Sequence, residues 1–236
     1  MGGPGTSGSW PGEFERGGAP LKVLVQTDAV LVIDKPAGLP VHAGPRGGAS
    51  LEDFLPWLAQ GKRHLPQPAH RLDTDTAGCL VLGRTRPAMA ELGGFFAEGR
   101  AKKTYWAVVV GGPAAQSGRI DLPLRKTSSK AAGWRMETHA QGQPALTRWR
   151  VKGRGPGLTW LELRPETGRT HQLRVHCASQ GWPMLGDPFY GTAATGGLHL
   201  LARAIALPTR PPIEAEAPVP PAMRAGFAAC GWAEAA

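Results

Sequence analysis

Glycine and proline interrupt this chain so often that they favour a sheet with many turns over a bundle of long helices. The 236 residues include 33 Gly and 23 Pro, and both residue types mark turns and break regular elements. No apolar run approaches the roughly 20 residues that a membrane-spanning helix requires. We therefore predict a sheet-rich body without a membrane segment, with 42% hydrophobic residues to build its core.

The charge balance favours a polyanionic partner. Lysine and arginine number 27 against 18 acidic residues, which gives a net charge of +9 and a pI near 10.0. Neutralising phosphates releases counterions and draws a basic protein onto nucleic acid. An anionic membrane surface would attract the chain too, but no amphipathic basic helix stands out. A basic surface without a functional meaning stays open as an alternative.

The cysteines and the chain length predict one intracellular domain. Cys79, Cys177 and Cys230 form no C-x-x-C pair, which is typical of reduced thiols in a cytoplasmic protein. Residues 1–20 are rich in Gly, Pro and Ser and predict a disordered tail. Residues 21–236 fit one domain.

Short apolar segments predict an α+β fold. Strands are predicted at Leu21–Val25, Val30–Asp34, Cys79–Leu82, Thr104–Val110, Ala145–Lys152, Leu158–Arg164 and Leu198–Leu207. Helices are predicted at Pro87–Glu98, from an N-cap at Thr170 to about Gln180, and at Pro220–Cys230. Strands and helices do not alternate regularly, so a doubly wound parallel sheet is disfavoured. The proline-rich stretch Pro208–Pro221 is predicted to be a surface linker.

Three segments combine reactive side chains with neighbouring apolar strands. They are HRLDTDTAG at residues 70–78, GRTHQLRVH at residues 168–176, and KTY at residues 103–105. The second lies at a predicted helix N-terminus, where free N–H groups and a guanidinium can hold a carboxylate or a phosphate. Each segment also has an ordinary structural interpretation: a solvated turn, a capped helix with exposed polar groups, and a core tyrosine.

Taken together, these segments resemble the RluA family of pseudouridine synthases. HRLDTDTAG resembles the family signature HRLDxxTSG, and GRTHQLRVH resembles its GR[ST]HQ[IL]R block. KPAGLPVHAG at 35–44, KTYWAVVVG at 103–111 and PMLGDPFYG at 183–191 follow in the family's order, and Leu198-His199-Leu200 fits a final Leu-His element. The resemblance covers roughly residues 21–210.

The resemblance implies a fold and also marks two departures. The implied fold is α+β, with a mixed, mostly antiparallel central sheet, flanking helices and a central RNA-binding cleft. Ala77 replaces the serine of the signature. Many members carry an N-terminal S4 domain, whereas only about 20 residues precede the core here, so the chain resembles the short members that consist of the catalytic domain alone. Its affinity for RNA is then expected to come from the core.

The resemblance further implies a role for Asp73, Arg169 and Tyr105. Asp73 would attack the target uridine, at the sugar C1′ or at the uracil ring, before the base rotates and rejoins through C5. An arginine beside an aspartate lowers its pKa by about 1–3 units and can fix its direction with two hydrogen bonds. We assign that role to Arg169, and we expect Arg174 to serve phosphate binding or structure. Tyr105 would stack on the flipped uracil or help to remove the C5 proton.

No cofactor or metal is expected, because a single carboxylate nucleophile suits an isomerisation that neither gains nor loses atoms. The expected partner is ribosomal RNA, transfer RNA or both, and the chain is expected to be a monomer. The basic loops Gly61–Ala69 and Ser128–Arg135 are candidates for reading RNA shape. Further residues predicted to bind RNA are His70, Arg71, Leu72, Thr76, Lys103, His171, Gln172 and Arg174.

Two other classes of protein stay open from the residues alone. A metal enzyme is disfavoured because His171 and His176 are five residues apart and no HExxH motif occurs. A non-catalytic RNA-binding module would carry the same charge. The presence of Asp73, Tyr105 and Arg169 together favours the enzyme.

Overall fold

The computed structural model of the chain describes residues 21–44, 47–129 and 133–234. The tail predicted over residues 1–20 lies outside this part. The strands are β1 (Lys22–Gln26), β2 (Val30–Lys35), β3 (Gln67–Pro68), β4 (Ala77–Gly83), β5 (Lys102–Val110), β6 (Ser117–Asp121), β7 (Leu124–Ser129), β8 (Gly133–Thr138), β9 (Leu146–Gly155), β10 (Leu158–Pro165), β11 (Leu200–Leu207) and β12 (Ile213–Glu216). The helices are a 3-10 turn (Leu51–Phe54), α1 (Leu55–Ala59), α2 (Arg86–Ala97), α3 (Gln172–Ser179) and α4 (Pro221–Ala229).

Ten of these strands form one mixed sheet. Its order is β1-β2-β4-β11-β5-β10-β9-β6, with β12 paired to β11 and β3 paired to β4. Every pairing is antiparallel except that of β4 with β11, in which Leu201 faces Ala77 and Ala202 faces Gly78. The predicted α+β class and the mixed, mostly antiparallel sheet are confirmed.

At Gly78 the strands β4 and β11 approach so closely that no side chain fits. A Cβ there would lie 2.3 Å from the carbonyl oxygen of Ala202, and φ is +110°, a value that side chains rarely allow. The neighbouring Ala77 is 1% exposed and packs in an apolar cluster. The methyl group that replaces the signature serine therefore suits its surroundings.

Helices cover both faces of the sheet. Phe95 of α2 and Phe227 of α4 pack in the apolar cluster on one face. Leu58 of α1 and Leu173 of α3 pack in the clusters on the other face. Because β4 is covered on both sides, all seven of its residues are buried. The longest of the described helices has 12 residues, and none of them could cross a membrane.

Strands β7 and β8 form a separate hairpin beside α3. Its base is tied down by backbone hydrogen bonds exchanged between Leu124 and Gln143. Leu124 also packs with Ala145 and Val175, and Met136 and Tyr190 close this small cluster. The hairpin thus has its own minor core and lies outside the main sheet.

Each predicted strand overlaps a strand of the structure, and each predicted helix overlaps a helix. The sequence did not predict β6, β7 and β8, because these strands are largely exposed and their residues show little apolar alternation. The predicted surface linker Pro208–Pro221 was wrong in part. It contains β12, which pairs with β11 and buries Ile213 and Ala215.

The predicted N-cap at Thr170 was also wrong. Helix α3 begins after His171, which has a left-handed backbone with φ of +53° and caps no N–H group with its side chain. The preceding turn is held instead by Gln172, whose Oε1 accepts hydrogen bonds from the backbone N–H of Arg169 and from the hydroxyl of Thr167.

Candidate active site

A cleft of about 520 Å³ opens where the three polar segments meet. It is lined by the loop from β3 to β4, by the start of β5 and by the residues that lead into α3. Its volume is in the range of small-molecule pockets. The sheet order brings these segments together, because β4 and β5 are both neighbours of β11.

Asp73 lies in this cleft with its side chain 18% exposed. Its Oδ2 is 3.9 Å from Nη1 of Arg174 and 3.9 Å from Nε2 of His171. Both distances exceed the roughly 2.7–3.2 Å of an N–H···O hydrogen bond. Within the described residues, no side-chain hydrogen bond engages the Asp73 carboxylate. Its charge is therefore compensated while its oxygen lone pairs stay available for a reaction.

A buried carboxylate holds Arg174 in place. Nε and Nη2 of Arg174 donate to the two carboxylate oxygens of Asp187, at 2.8 and 2.7 Å. The backbone N–H groups of Phe189 and Tyr190 donate to the same carboxylate. The side chains of Arg174 and Asp187 are 2% and 0% exposed. Four donors on one carboxylate fix the guanidinium plane and leave Nη1 directed toward Asp73.

The same contacts keep both members of this pair charged. Burial acts to raise the pKa of Asp187, but the hydrogen bonds and charge of Arg174 outweigh it and hold that pKa below its usual value. Burial likewise acts to lower the pKa of Arg174, and the carboxylate of Asp187 holds it above its usual value. A permanent positive charge therefore lies beside Asp73.

Arg174, not Arg169, is thus the arginine that faces Asp73. Arg169 is exposed, and its Nε donates to the carbonyl of Pro144 at 3.1 Å. The predicted pairing of Arg169 with Asp73 was therefore wrong in its geometry. The physical reason is the position of the turn before α3: residue 169 precedes the helix and faces solvent, whereas residue 174 lies on its buried side. Arg169 still lines the cleft.

His171 closes the other side of the carboxylate. Its Nδ1 lies 2.8 Å from the hydroxyl of Tyr190, and its Nε2 faces Asp73. Burial lowers the pKa of His171, and this effect exceeds the opposite effect of the Asp73 charge. The imidazole is therefore neutral at neutral pH, and Arg174 carries the compensating charge. The phenol of Tyr190 in turn accepts the backbone N–H of Met136 on the hairpin.

Tyr105 presents its ring to the cleft from β5. It packs against the apolar clusters on both sides of the cleft floor. Burial, followed by the negative charge of Asp73, raises the pKa of the Tyr105 hydroxyl above its usual value. The phenol is therefore protonated at neutral pH.

His70 and Lys103 form part of the cleft wall. Nε2 of His70 accepts the backbone N–H of Val81 at 3.0 Å, and its ring lies 4.6 Å from that of Phe96. Burial, together with the charge of Lys103, lowers the pKa of His70 to about 3, so His70 is neutral. Nζ of Lys103 donates to the carbonyl of Thr167, and burial lowers its pKa. Both contacts tie the cleft wall to neighbouring elements.

Several of the residues predicted to bind RNA have structural contacts. Leu72 is buried in the apolar cluster under α1, and the backbone N–H of Thr76 donates to the carbonyl of Asp73. The amide of Gln172 donates to Leu146 and Thr147 of β9. These contacts hold the loop that carries Asp73 and the start of the helix that carries Arg174, although all three residues also line the cleft.

Arg71 is exposed at the edge of the cleft, and no ion pair engages it in the part of the chain that the structure describes. The predicted basic loop Gly61–Ala69 does not line the cleft, and its Lys62 pairs with Asp28. Of the loop Ser128–Arg135, residues 130–132 lie outside the described part of the chain.

A buried lysine supports the Asp73 loop from below. Lys35 is 0% exposed, and its Nζ donates to the carbonyls of Pro36, Leu39 and Thr74. Burial lowers the pKa of Lys35 to about 7, although Asp75 and other nearby carboxylates oppose this shift. The segment KPAGLPVHAG therefore braces the residue that follows Asp73.

Asp187 and Tyr190 had no predicted role. Both belong to PMLGDPFYG, a block that was recognised only as part of a resemblance. Asp187 lies 13 residues after Arg174 in the sequence, and only the fold brings its carboxylate to the guanidinium. His176, the other histidine of the segment, has both ring nitrogens engaged, by Thr147 and by the carbonyl of Leu122. Residues 21–44, 47–129 and 133–234 contain no group of three or more potential metal ligands.

The fold and the cleft together define an α+β protein in whose cleft the Asp73 carboxylate lies beside an arginine and a histidine, with the ring of Tyr105 in the same cleft. A profile of the family described as RNA pseudouridylate synthase matches residues 29–179. A relative from Zymomonas mobilis named as an RNA pseudouridine synthase is 44% identical over 85% of this chain and 94% of its own. Ribosomal large subunit pseudouridine synthase D of the same organism is 35% identical over 83% of this chain and 63% of its own.

Solved structures agree with the sequence relatives. The structure titled human RNA pseudouridylate synthase domain containing 4 superposes with a TM-score of 0.75, at 27% identity over 88% of this chain and 92% of that chain. The chain belongs to the RNA pseudouridine synthases, a family of isomerases, and the resemblance to the RluA family is confirmed. The chain spans 94% of the first of these Zymomonas relatives. It spans only 63% of ribosomal large subunit pseudouridine synthase D and 59% of a further relative, an RNA pseudouridine synthase of Synechocystis.

Proposed function

We propose that this chain converts uridine to pseudouridine in ribosomal RNA, with Asp73 as the nucleophile. The observation that carries the proposal is the state of its carboxylate, which is compensated by Arg174 at 3.9 Å yet makes no hydrogen bond in the described part of the chain. A carboxylate held by direct hydrogen bonds would be a weaker nucleophile. Attack at C1′ or at the uracil ring uses the same free lone pairs.

Arg174 supplies the charge compensation in this proposal. Its pairing with Asp187 leaves one guanidinium nitrogen for Asp73, so the arginine cannot move closer without breaking two short hydrogen bonds. Arg174 thus stabilises the negative charge of Asp73 without a hydrogen bond to its carboxylate oxygens. Arg169, exposed at the edge of the cleft, would contact the RNA backbone.

Tyr105 provides a flat face for the extruded uracil. A uridine must leave its stack before Asp73 can reach it, which costs a few kcal/mol that stacking on a protein ring helps to offset. Because its raised pKa keeps the Tyr105 hydroxyl protonated, the hydroxyl is not available to accept the C5 proton, and stacking is the better supported of the two predicted roles. Arg71, exposed at the edge of the cleft, would occupy the space that the flipped base leaves.

The choice of ribosomal RNA as the target is supported by the relatives named ribosomal large subunit pseudouridine synthase D. Transfer RNA is the alternative substrate. Loops and unstacked bases are the parts of RNA that a protein can read most readily, and a cleft of about 520 Å³ has the size of a pocket for a small molecule such as one base. A monomer acting in the cytoplasm without a cofactor completes the proposal.

The test is tritium release from RNA labelled at uridine C5, because the base rejoins the sugar at that carbon and must lose its hydrogen. Ribosomal and transfer RNA transcripts are assayed separately with the wild type, with Asp73→Asn and with Asp75→Asn. Asp75 belongs to the same loop and makes no side-chain hydrogen bond in the described part of the chain. It therefore controls for the loss of a carboxylate near the cleft.

We expect release by the wild type and by Asp75→Asn, and none by Asp73→Asn. Release from the ribosomal transcript alone would support the proposed target, and release from the transfer RNA alone would move the activity to the alternative. Equal release by Asp73→Asn and the wild type would overturn the assignment of the nucleophile.

A further inference from the structure

Two aromatic rings are exposed beside the cleft without an apolar cover. Trp134 of β8 is 42% exposed and Phe189 is 44% exposed. Both contact His171, with ring centroids 5.1 and 5.6 Å from the imidazole. Since His171 faces Asp73 at 3.9 Å, the two rings are one side chain away from the reactive carboxylate.

Polar contacts from the hairpin hold the backbone of Phe189 and the side chain of the neighbouring Tyr190. A guanidinium nitrogen of Arg135 donates to the carbonyl of Phe189, and the backbone N–H of Met136 donates to the hydroxyl of Tyr190. The guanidinium of Arg174 lies 5.1 Å from the centroid of the Phe189 ring. The Phe189 ring is therefore oriented before any ligand binds, which lowers the entropic cost of binding.

A lysine side chain lies close to the ring of Trp134. Nζ of Lys126, on the opposite strand of the hairpin, lies 5.1 Å from the indole centroid. An exposed cation–π contact contributes only about 0.5–1 kcal/mol, so a stacked base can displace the ammonium toward a phosphate. On the hairpin, Arg125 is neutralised by Glu137, whereas Lys126 has no ion-pair partner among the described residues.

We propose that Trp134 and Phe189 form a stacking platform for an unpaired base next to the target uridine. The inference rests on the proposed function, since it assumes that RNA enters the cleft. Exposed aromatic rings with adjacent cations are how proteins bind single-stranded nucleic acid, and each stacked base contributes about 1–3 kcal/mol. The platform would stack against the base of the neighbouring nucleotide while Tyr105 stacks against the uracil. Both bases that leave the RNA stack would then be held by aromatic side chains of the protein.

The test measures affinity for a fluorescein-labelled RNA hairpin with an all-uridine loop, in an Asp73→Asn background that prevents turnover. Trp134→Leu removes the π face and keeps apolar bulk, and Trp134→Phe restores a flat ring. Trp57→Leu is the matched control, because Trp57 is 40% exposed on α1 and does not line the cleft. We expect Trp134→Leu to weaken binding by about 5- to 150-fold, Trp134→Phe to recover most of that loss, and Trp57→Leu to bind like the parent.

A second probe separates stacking from attraction to phosphates. It carries the same stem with a loop of abasic nucleotides, so its charge is unchanged. The parent should lose more affinity on this change than Trp134→Leu does, because the leucine variant has already lost the stacking contact. Equal losses, or a Trp134→Leu variant that binds as tightly as the parent, would overturn the platform. A parent that binds neither hairpin would overturn the proposed function itself.

Discussion

We predict that Asp187 supports both the stability and the activity of the protein, and that Asp187→Asn lowers both. The amide keeps the shape of the carboxylate and can still accept from the N–H groups of Phe189 and Tyr190. Its NH₂ group would, however, meet a guanidinium N–H of Arg174, donor against donor, at a distance of 2.7–2.8 Å. Arg174 would then be a buried charge without its partner.

The expected magnitude follows from this burial. Breaking a buried ion pair by removing one member costs about 3–5 kcal/mol, a large share of the roughly 5–15 kcal/mol that stabilises a typical domain. Released from Asp187, the guanidinium is also attracted to Asp73, since charges about 4 Å apart interact with roughly 4 kcal/mol at an effective dielectric constant near 20. A direct hydrogen bond to Asp73 would then block its lone pairs, so tritium release should fall by at least about 100-fold.

Urea unfolding measures the first effect, and tritium release below the unfolding transition measures the second. Glu137→Gln is the control, because it makes the same change in an exposed pair with Arg125 whose side chains are 42% and 43% exposed. That variant should lose no more than about 1 kcal/mol and keep its activity. A loss below about 1 kcal/mol for Asp187→Asn would refute the account of the buried pair.

Two further predictions concern the sheet. Gly78→Ala should lower the free energy of unfolding by about 2–6 kcal/mol, from overpacking against Ala202 and from backbone strain. Gly93→Ala, in the open middle of α2, is the control and should raise the free energy of unfolding by about 0.5–1 kcal/mol. Equal effects of the two substitutions in urea unfolding would contradict the close approach of β4 and β11. Burial raises the pKa of Asp34 to about 6, so the folded state resists its ionisation and loses stability as the pH rises from about 4 through 6. Asp34→Asn should therefore stabilise the protein by about 1–2 kcal/mol above pH 6, less than the full shift implies because the side chain is only partly buried. Thermal unfolding should show this gain shrinking as the pH falls and vanishing below about pH 4, and a gain that is the same at pH 4 and pH 7.5 would contradict the burial of the carboxyl group.

The sequence predicted the elements of the core well because apolar strands carry a strong local signal. Thr104–Val110 and Leu158–Arg164 are both within two residues of the observed strands β5 and β10. The hairpin of β7 and β8 was missed for the converse reason: it is covered on one side only, so its residues are mostly polar. A short, exposed hairpin gives little periodicity to read.

The segments that line the candidate site were predicted from the sequence, but the arginine that faces Asp73 was not. Asp73 and Tyr105 were placed correctly in the cleft by their motifs. The choice of Arg169 over Arg174 failed because it depended on where α3 begins, and helix boundaries are the least certain feature of a sequence reading. His171, with its left-handed backbone, is the N-cap, so the helix begins one residue later than predicted. Arg169 lies in the exposed turn before it, and Arg174 is buried within it. Nothing local in the sequence indicates that Asp187 would reach the second of them.

The parallel pairing of β4 with β11 has a consequence for how the protein is made. It joins residues 77–78 to residues 201–202, so the middle of the sheet cannot close until the ribosome has released nearly the entire domain. Contacts so distant along a chain form late and slowly. The nascent polypeptide would thus carry its positive charge past the ribosome's own RNA with the cleft around Asp73 still unassembled, and isomerase activity would begin only after residues 201–202 have been made.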